Sequence, residues 1–393
     1  MAPTARILDQ TERGKAFSLD LVCACVMGFA FSANYINHAP LVPALTQAFS
    51  FSLAMAGFLT TGVFLTHAGM QVPGGHLADL LGARQVVTIA LAVVCLGNFA
   101  IAFATAYWQL LLWKMFVGLG TGTCFVAGAR YVSAAQSGRR SHLAQGYYGG
   151  SIMLGSGFVI LAVPRFADAF GWRGGFLITA TLAAAAWVLW VAAAPTSSGS
   201  SRPQGSFGGM IANPQLWLLG LAQMASFGLV IVISAWITTF LRRGLHIDPV
   251  TAGLIGSIAL MLGIVMRPLG GVLVGVIGVR PLIRLSLVLS AAGCFLLASA
   301  GNSVAWVTVA ILLIGVGCGC PYAALFTSAA ALYPERAGAA MGLVNMLGII
   351  MILAAPPLIG RFVDWSGSFQ SSFMALGFFS LVALMGTLGI DES

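Results

Sequence analysis

The stretch GHLADLLGAR at Gly75–Arg84 returns in altered form as GVLVGVIGVR at Gly271–Arg280. Both copies begin with glycine and keep a glycine at the eighth position and an arginine at the tenth. Each copy also follows a long apolar run of the chain. A pattern that recurs at equivalent places in this way predicts a chain built from two related halves.

Two further features recur in the same order in both halves. Alternating glycines occur at Gly118, Gly120 and Gly122 and again at Gly315, Gly317 and Gly319. The sequence RFAD at Arg165–Asp168 returns as RFVD at Arg361–Asp364. Because all three pairs keep nearly the same offset, chance similarity does not explain them. Halves related by an axis along the membrane normal are typical of transporters that bind their solute near mid-bilayer.

The composition indicates that lipid is the main solvent of this chain. Of its 393 residues, 59% are hydrophobic and only 7% are charged, and the mean hydropathy is +0.97. A soluble domain carries about a quarter charged residues. The net charge of +8 comes from basic residues that stand singly or in pairs between apolar runs. They are typical of topology signals and predict no nucleic acid partner.

Twelve apolar runs are long enough to cross a bilayer, which takes roughly 20 residues per helix. We number them as spans 1 to 12: Phe17–Leu41, Ser52–Pro73, Val86–Ala106, Trp108–Ala129, Ala144–Val163, Gly174–Ala194, Gln215–Leu241, Val250–Leu273, Pro281–Ala300, Val304–Leu325, Ala339–Ile359 and Ser372–Leu388. The predicted fold is an all-α membrane protein whose twelve transmembrane helices form two pseudo-symmetric six-helix bundles.

A polar stretch, PTSSGSSRPQGSFGGMIAN, separates spans 6 and 7. Its Ser and Gly content predicts a flexible linker, so we expect an N-terminal bundle at 1–194, a linker at 195–213 and a C-terminal bundle at 214–393. More Lys and Arg fall on the side of the termini and linker than on the other side. We therefore expect a multi-pass inner-membrane protein with both termini in the cytoplasm, and no cleaved signal peptide.

Gly75–Arg84 resembles the signature loop of the major facilitator superfamily, G-x-L-A-D-x-x-G-x-R, which lies between helices two and three in that family. The resemblance covers essentially the whole chain and implies a monomeric transporter. It implies a conformational gate made of Gly75, Asp79, Gly82 and Arg84, in which Asp79 contacts neighbouring helix ends and latches the outward-open state. Alternatively, Asp79 and Arg84 are solvated loop charges. The second copy has Gly275 in place of the acid, which weakens any latch there.

Apart from Arg284 near the start of span 9, Lys114 and Arg267 are the only Lys or Arg residues within the apolar runs, and Asp20 at the start of span 1 is the only nearby acid. Charges inside spans are costly and mark functional sites, so this excess of positive charge predicts an anionic substrate. Arg267-Pro268 resembles the R-P-x-x-G pattern of monocarboxylate, oxalate and nitrate carriers, in which the arginine binds the anion. Alternatively, Arg267 snorkels to the headgroups or braces a helix end. The repeat equivalent of Arg267 is Gln71, so the paired arginines of nitrate carriers are missing.

Other polar residues align at helical spacing, as the wall of an aqueous cavity requires. The predicted substrate-binding set is Arg267, Lys114, His67, Gln71, Asn34, Tyr35, His38, Tyr147, Gln223, Tyr322 and Asn345. His67 is one of few groups in the spans that can titrate near neutral pH, so it is the candidate carrier of a coupled proton. Each of these residues alone is compatible with a hydrogen bond that only packs helices.

Catalytic motifs are absent from the sequence, including a P-loop, HExxH and a Cys/His metal pair. We therefore expect no enzyme activity, no cofactor and no metal site. The favoured function is secondary active transport of a small organic or inorganic anion by alternating access, with proton symport left open. An efflux transporter for a drug or a neutral or amphipathic solute is the alternative, and a transporter-like receptor is the third.

Overall fold

The computed structural model describes residues 18–136, 138–196, 206–301 and 303–389, and these residues are almost entirely helical, with no β-strand among them. The helices of the first half are Leu19–Tyr35, Val42–Phe49, Leu53–Gly69, Gln71–Leu81, Ala83–Ala102, Tyr107–Ala135 and Arg139–Ala193, with a 3₁₀ turn at Ala39–Leu41.

The second half begins with a short helix that precedes span 7. Its helices are Phe207–Ala212, Pro214–Gln223, Leu229–Gly244, Pro249–Ile277, Val279–Ser299, Val304–Gly319, Tyr322–Leu332, Ala337–Ser366 and Gln370–Gly386. Short turns of other helix types lie at Met224–Gly228, Pro334–Arg336 and Thr387–Gly389.

These helices supply the twelve predicted spans. Ten stretches of the described residues are long and apolar enough to cross a membrane. One of them, Arg140–Ala193, contains spans 5 and 6, because Gly171 has non-helical dihedral angles (φ 70°, ψ 176°) that divide it. Span 2 is the helix pair Leu53–Gly69 and Gln71–Leu81, which meets at Met70. The predicted all-α fold of two six-helix bundles is confirmed.

The duplication predicted from the sequence is visible in the turns between spans. Gly82 ends span 2 with φ 88°, and its counterpart Gly278 ends span 8 with φ 85°. Gly171 ends span 5 with φ 70°, and Gly367 ends span 11 with φ 69°. Positive φ is easy for glycine and strained for residues with a Cβ. The repeated motifs thus keep the glycines that turn the chain back toward the membrane.

The motif segments are more helical than the predicted spans allowed. Gly75–Leu81 continues span 2 beyond the predicted end at Pro73, and only Gly82 turns. Arg165–Asp168 and Arg361–Asp364 also lie inside helices instead of following them. Helical continuation satisfies the backbone polar groups where the chain leaves the apolar layer. The predicted boundaries therefore placed these turns too early.

The linker prediction is only partly covered by the structure. Residues 206–213 contain the helix Phe207–Ala212, whose Met210 is fully buried. Residues 197–205 of the predicted linker lie outside the described residues, so the boundaries 195 and 213 stay a prediction. Because the number of spans is even, Ser18 and Gly389 lie on the same side of the membrane as the linker. We call this the linker side.

Glycines bring the two halves into close contact on the linker side. A Cβ on Gly75 of span 2 would collide with the backbone oxygen of Gly338 in span 11. In the pseudo-equivalent pair of spans 5 and 8, a Cβ on Gly271 would lie 2.5 Å from the oxygen of His142. Such close backbone approach is how small residues join membrane helices. At these two crossings the backbones of the two halves are in contact on the linker side.

Candidate functional site

A small cavity lies between the two halves. Its volume is about 10 Å³. On the same scale, one water molecule needs roughly 10 to 15 Å³. Its lining comes from spans 1, 2, 4, 5, 7, 8 and 11: Tyr35, Phe64, His67, Phe125, Ile152, Met153, Phe227, Arg267 and Asn345. Four of these nine residues belong to the predicted substrate-binding set. No carboxylate is among them.

Arg267 is the cation of this cavity and is only 4% exposed. Its Nη1 donates to the backbone oxygen of Gly149 in span 5 at 3.0 Å. Its guanidinium lies 4.3 Å from the ring centroid of Tyr322 and 5.6 Å from that of Phe227. Its Nε and Nη2 make no hydrogen bond to any residue that the structure describes. A buried guanidinium with spare forked donors and no carboxylate beside it is suited to bind an anion.

Asn345 adds a second donor to the cavity. Gln223 Nε2 donates to Asn345 Oδ1 at 3.1 Å, which fixes the orientation of the amide. Asn345 Nδ2 is buried and has no hydrogen-bond partner within the described part of the chain. A π-helical turn, Met224–Gly228, follows Gln223 and contains the cavity-lining Phe227. In span 7, Gln223 therefore positions Asn345, and Phe227 lines the cavity.

His67 and Tyr35 form the wall contributed by the N-terminal half. Their ring centroids are 5.8 Å apart. His67 Nδ1 is hydrogen-bonded to Thr121 Oγ1 at 3.0 Å, and the Tyr35 hydroxyl to Ser156 Oγ at 2.9 Å. His67 Nε2 makes no hydrogen bond to a described residue, so it is the ring nitrogen left for a ligand or a proton.

Lys114 lies outside this cavity, inside the N-terminal half. Its Nζ donates to Asn34 O at 3.0 Å and to Asn37 Oδ1 at 2.8 Å. Asn34 Nδ2 in turn donates to Thr179 O, and Asn37 Nδ2 to Thr179 Oγ1. These groups form a buried network at the end of span 1 that lies away from the linker side, and within it Asn34 Oδ1 has no hydrogen-bond partner among the described residues. The structure does not bring Lys114 or Asn34 to the cavity.

The remaining predicted ligands are also placed around the cavity and not in its lining. His38 is bonded to Thr60 Oγ1 at 2.9 Å, and Gln71 Nε2 lies 3.4 Å from the backbone oxygens of His67 and Gly122. Tyr147 is half-buried and packs against the core. The ring of Tyr322 packs against the guanidinium of Arg267 and also stacks on the ring of Phe326, with the two ring centroids 4.6 Å apart.

The predicted gate residue Asp79 is fully buried between the halves. Its Oδ1 accepts from Arg130 Nε at 2.8 Å and from Gly338 N at 3.0 Å. Its Oδ2 accepts from Ala339 N at 3.0 Å. Gly338 and Ala339 are in the first turn of span 11, so Asp79 caps that helix from the opposite half, at its positive dipole end.

Arg84 has a different partner from Asp79. Its Nε donates to Ala194 O at 2.7 Å and its Nη2 to Val191 O at 2.8 Å, at the end of span 6 in its own half. A cation is favourable at a helix C-terminus. Arg84 therefore fastens the motif to its own bundle, whereas Asp79 reaches the other bundle.

Sequence reasoning missed the apolar wall and the partner of Asp79. The wall residues Phe64, Phe125, Ile152, Met153 and Phe227 look like any core residue of an apolar span. Arg130 could have been proposed from the sequence as a partner of Asp79, because both residues fall on the same predicted side of the membrane. No three His, Cys, Asp or Glu side chains of the described residues cluster as a metal site would require.

The family model for the Major Facilitator Superfamily matches residues 22–276 and 216–392 of this chain. The chain belongs to the Major Facilitator Superfamily. The resemblance of Gly75–Arg84 to the superfamily signature is thereby confirmed, together with the prediction of a transporter instead of an enzyme. The overlap of the two matched ranges agrees with a chain made of two related halves.

Known members of the superfamily resemble this chain over nearly its whole length. It is 26% identical to a probable nitrate transporter, NarT, of Staphylococcus epidermidis, over 90% of this chain and 91% of the relative. It is 24% identical to a probable nitrate/nitrite antiporter, NarK1, of Thermus thermophilus, over 96% and 92%. The solved structure of the proton:xylose symporter XylE matches with a TM-score of 0.80 at 14% identity, over 95% of this chain and 96% of XylE. That structure supports the fold alone.

Proposed function

We propose that this protein is a secondary active transporter that moves a small anion, of the size of nitrate or nitrite, by alternating access. Arg267 is the main ligand. The observation that carries the proposal is the environment of this side chain: it is buried between the halves, has spare donors, and has no carboxylate in the cavity lining.

Charge balance supports an anionic substrate. Burying a charge without a partner costs several kcal/mol in a protein, even after relaxation. A structural arginine is normally paired, whereas Arg267 has a carbonyl and two aromatic rings as its partners. An anion in the cavity would supply the missing charge. The apolar walls would strengthen the attraction, because charges interact more strongly at a low effective dielectric constant.

Relatives with nitrate and nitrite in their names favour this reading over other anions. The single arginine limits the analogy, because Gln71 stands at the repeat-equivalent position and bonds within its own half. The site in this chain would therefore rest on Arg267, with the donors of Asn345 and His67 completing it. The single positive charge of Arg267 matches a substrate that carries a single negative charge.

Alternating access requires an interface that can open and close. We propose that Asp79, Gly75 and Gly338 hold the linker side closed in the state seen here, and that these contacts break when the site opens to that side. A carboxylate at the start of span 11 is a reversible link, because water replaces the amide hydrogen bonds when the halves separate.

We propose that the linker side is cytoplasmic, with both termini inside the cell, and that the protein lies in the inner membrane as a monomer. The excess of Lys and Arg on this side supports the orientation. Entry of an anion against an inside-negative potential costs about 2.3 kcal/mol per charge for each 100 mV. Proton symport would offset this cost, and His67 is the imidazole in the cavity lining that could carry the proton.

The efflux alternative has less support. A neutral or amphipathic compound would bind chiefly through apolar contacts and would make no use of the guanidinium of Arg267 or the Nδ2 of Asn345 in the cavity lining. It would also leave the charge of Arg267 without a partner. Neither named relative is described as a carrier of neutral compounds.

Thermal unfolding of the purified protein with and without anions tests the proposal. A ligand at one hundred times its Kd stabilises the folded state by about 2.7 kcal/mol. At roughly 2.1 cal/mol/K of unfolding entropy per residue, that raises the Tm by about 3 °C. We expect this shift with nitrate or nitrite in the wild type and its loss in Arg267→Ala.

The matched variant is Arg267→Lys, which keeps the charge and removes the fork. We expect it to retain a reduced shift. A shift of equal size in wild type and Arg267→Ala would contradict the role of Arg267, and the absence of any shift with small anions would contradict anion binding.

A further inference from the structure

Met153, which lines the cavity, packs over Gly263 of span 8. Gly263 precedes Arg267 by four residues in span 8, so both positions lie on the same helix face. A Cβ on Gly263 would stand 3.2 Å from Met153 Cγ and 3.4 Å from Met153 Sδ. The space that a side chain at position 263 would take beside the guanidinium is therefore filled from span 5, by Met153.

Met153 is also part of the cavity lining and is buried. Its neighbour Ile152 lines the same cavity, and the remaining walls toward spans 2, 4 and 7 are the rings of Phe64, Phe125 and Phe227. Methionine is unbranched and adapts its shape to the space available. A very small anion can enter with movement of one such side chain, whereas a longer one must displace a wall.

We propose that Met153, seated over Gly263, is a specificity-determining residue that restricts transport to small monovalent anions of about three or four heavy atoms. Nitrite, nitrate and formate belong to this class. Longer monocarboxylates and dicarboxylates are excluded, the former by length and the latter also because one cation faces them. This inference rests on the proposed anion transport and narrows its substrate class.

The straight-chain monocarboxylates give a clean measure of size, because each step adds one methylene to the same head group. Where an apolar pocket is open, each buried methylene strengthens binding by roughly 0.8 kcal/mol, about four-fold. Where Met153 fills the pocket, affinity instead falls as the monocarboxylate becomes longer. A pocket that discriminates by one methylene does so by about 10 to 200-fold.

The experiment is competition by nitrite, formate, acetate, propionate and butyrate against labelled nitrate uptake in proteoliposomes of the full-length protein. We expect wild type to bind propionate at least 10-fold more weakly than formate. In Met153→Ala the formate-to-propionate ratio should fall by 10-fold or more. In Gly263→Ala the new Cβ pushes on Met153, so nitrate should weaken relative to the smaller nitrite.

Met27→Ala is the matched control, because Met27 is fully buried in the core and is not among the cavity-lining residues. We expect it to leave the selectivity series unchanged. The inference is overturned if affinity in the wild type is flat or rises with chain length, or if neither Met153→Ala nor Gly263→Ala changes the series. If the wild type binds no small anion and Arg267→Ala has no effect, the proposed function itself fails.

Discussion

Replacing Asp79 by alanine should shift the equilibrium away from the state that is closed on the linker side. The carboxylate links the halves through two hydrogen bonds, from Gly338 N and Ala339 N, both at 3.0 Å. Loss of a helix N-cap costs about 0.5 to 2 kcal/mol, and loss of a negative charge at a helix N-terminus about 0.3 to 1 kcal/mol. Arg130 belongs to the same half as Asp79, so their ion pair is present in both the closed and the open state. Its loss in Asp79→Ala therefore has little effect on the equilibrium between the two states. The expected shift is about 1 to 3 kcal/mol, or about 5 to 150-fold in population.

Amide hydrogen exchange at His142 and Leu143 reads this shift, because Gly271 of the other half lies against their backbone and neither amide donates to Asp79. The amides of Gly338 and Ala339 are unsuitable, because Asp79→Ala removes their acceptor even without opening. We expect exchange in a peptide that covers His142 and Leu143 to be about 5 to 150-fold faster in Asp79→Ala. Asp364→Asn is the control, since Asp364 lies near the other end of span 11 and is exposed. Unchanged exchange in Asp79→Ala, or an equal change in Asp364→Asn, would refute the assignment of Asp79 as the latch.

Three further substitutions separate the gate, the buried network and the site. Gly75→Ala should abolish transport while the protein still folds, because the new Cβ meets the backbone of Gly338; Gly157→Ala has open space and should transport normally in the same assay. Lys114→Met should lower the Tm, since two buried oxygens lose their hydrogen-bond donor at about 1 to 3 kcal/mol each. Nitrate should still raise the Tm of this variant. If nitrate no longer raised it, Lys114 would belong to the anion site. Gln223→Leu should weaken nitrate affinity by releasing Asn345, and a double-mutant cycle with Asn345→Leu should show strong non-additivity; additive effects would contradict the positioning role.

The fold was predictable because two independent signals agree on it. Apolar length defines the spans, and the repeated motifs relate the halves, down to the glycines that turn the chain at Gly82 and Gly278. The ends of the spans were harder to predict. A helix that emerges from lipid continues as long as its backbone hydrogen bonds are favourable, and hydropathy does not report where it stops.

The site was only partly predictable, because a helical stripe does not reveal its partner. Asn34, Asn37 and His38 follow helical spacing, yet the helix ends at Tyr35, so that Tyr35 reaches the cavity while its neighbours face Thr179, Lys114 and Thr60.

Lys114 and Arg267 show the same limit. In the sequence both are lone cations in apolar runs, and the structure gives one of them two polar partners inside its own bundle and the other a place between the bundles. Lys114 has a side-chain partner because the helix of span 1 ends at Tyr35 and the chain beyond it brings Asn37 Oδ1 to Lys114 Nζ. Residue type and spacing do not carry that information.

Uptake of labelled nitrate into proteoliposomes that contain wild type, Arg267→Lys or Arg267→Ala tests the central claim most directly. With two charge-assisted hydrogen bonds at about 1.5 to 3 kcal/mol each, loss of the guanidinium should weaken apparent affinity by on the order of 10² to 10⁴-fold. We predict saturable uptake in the wild type, a partial loss in Arg267→Lys and no uptake above empty vesicles in Arg267→Ala. Equal uptake by Arg267→Ala and wild type would contradict the account.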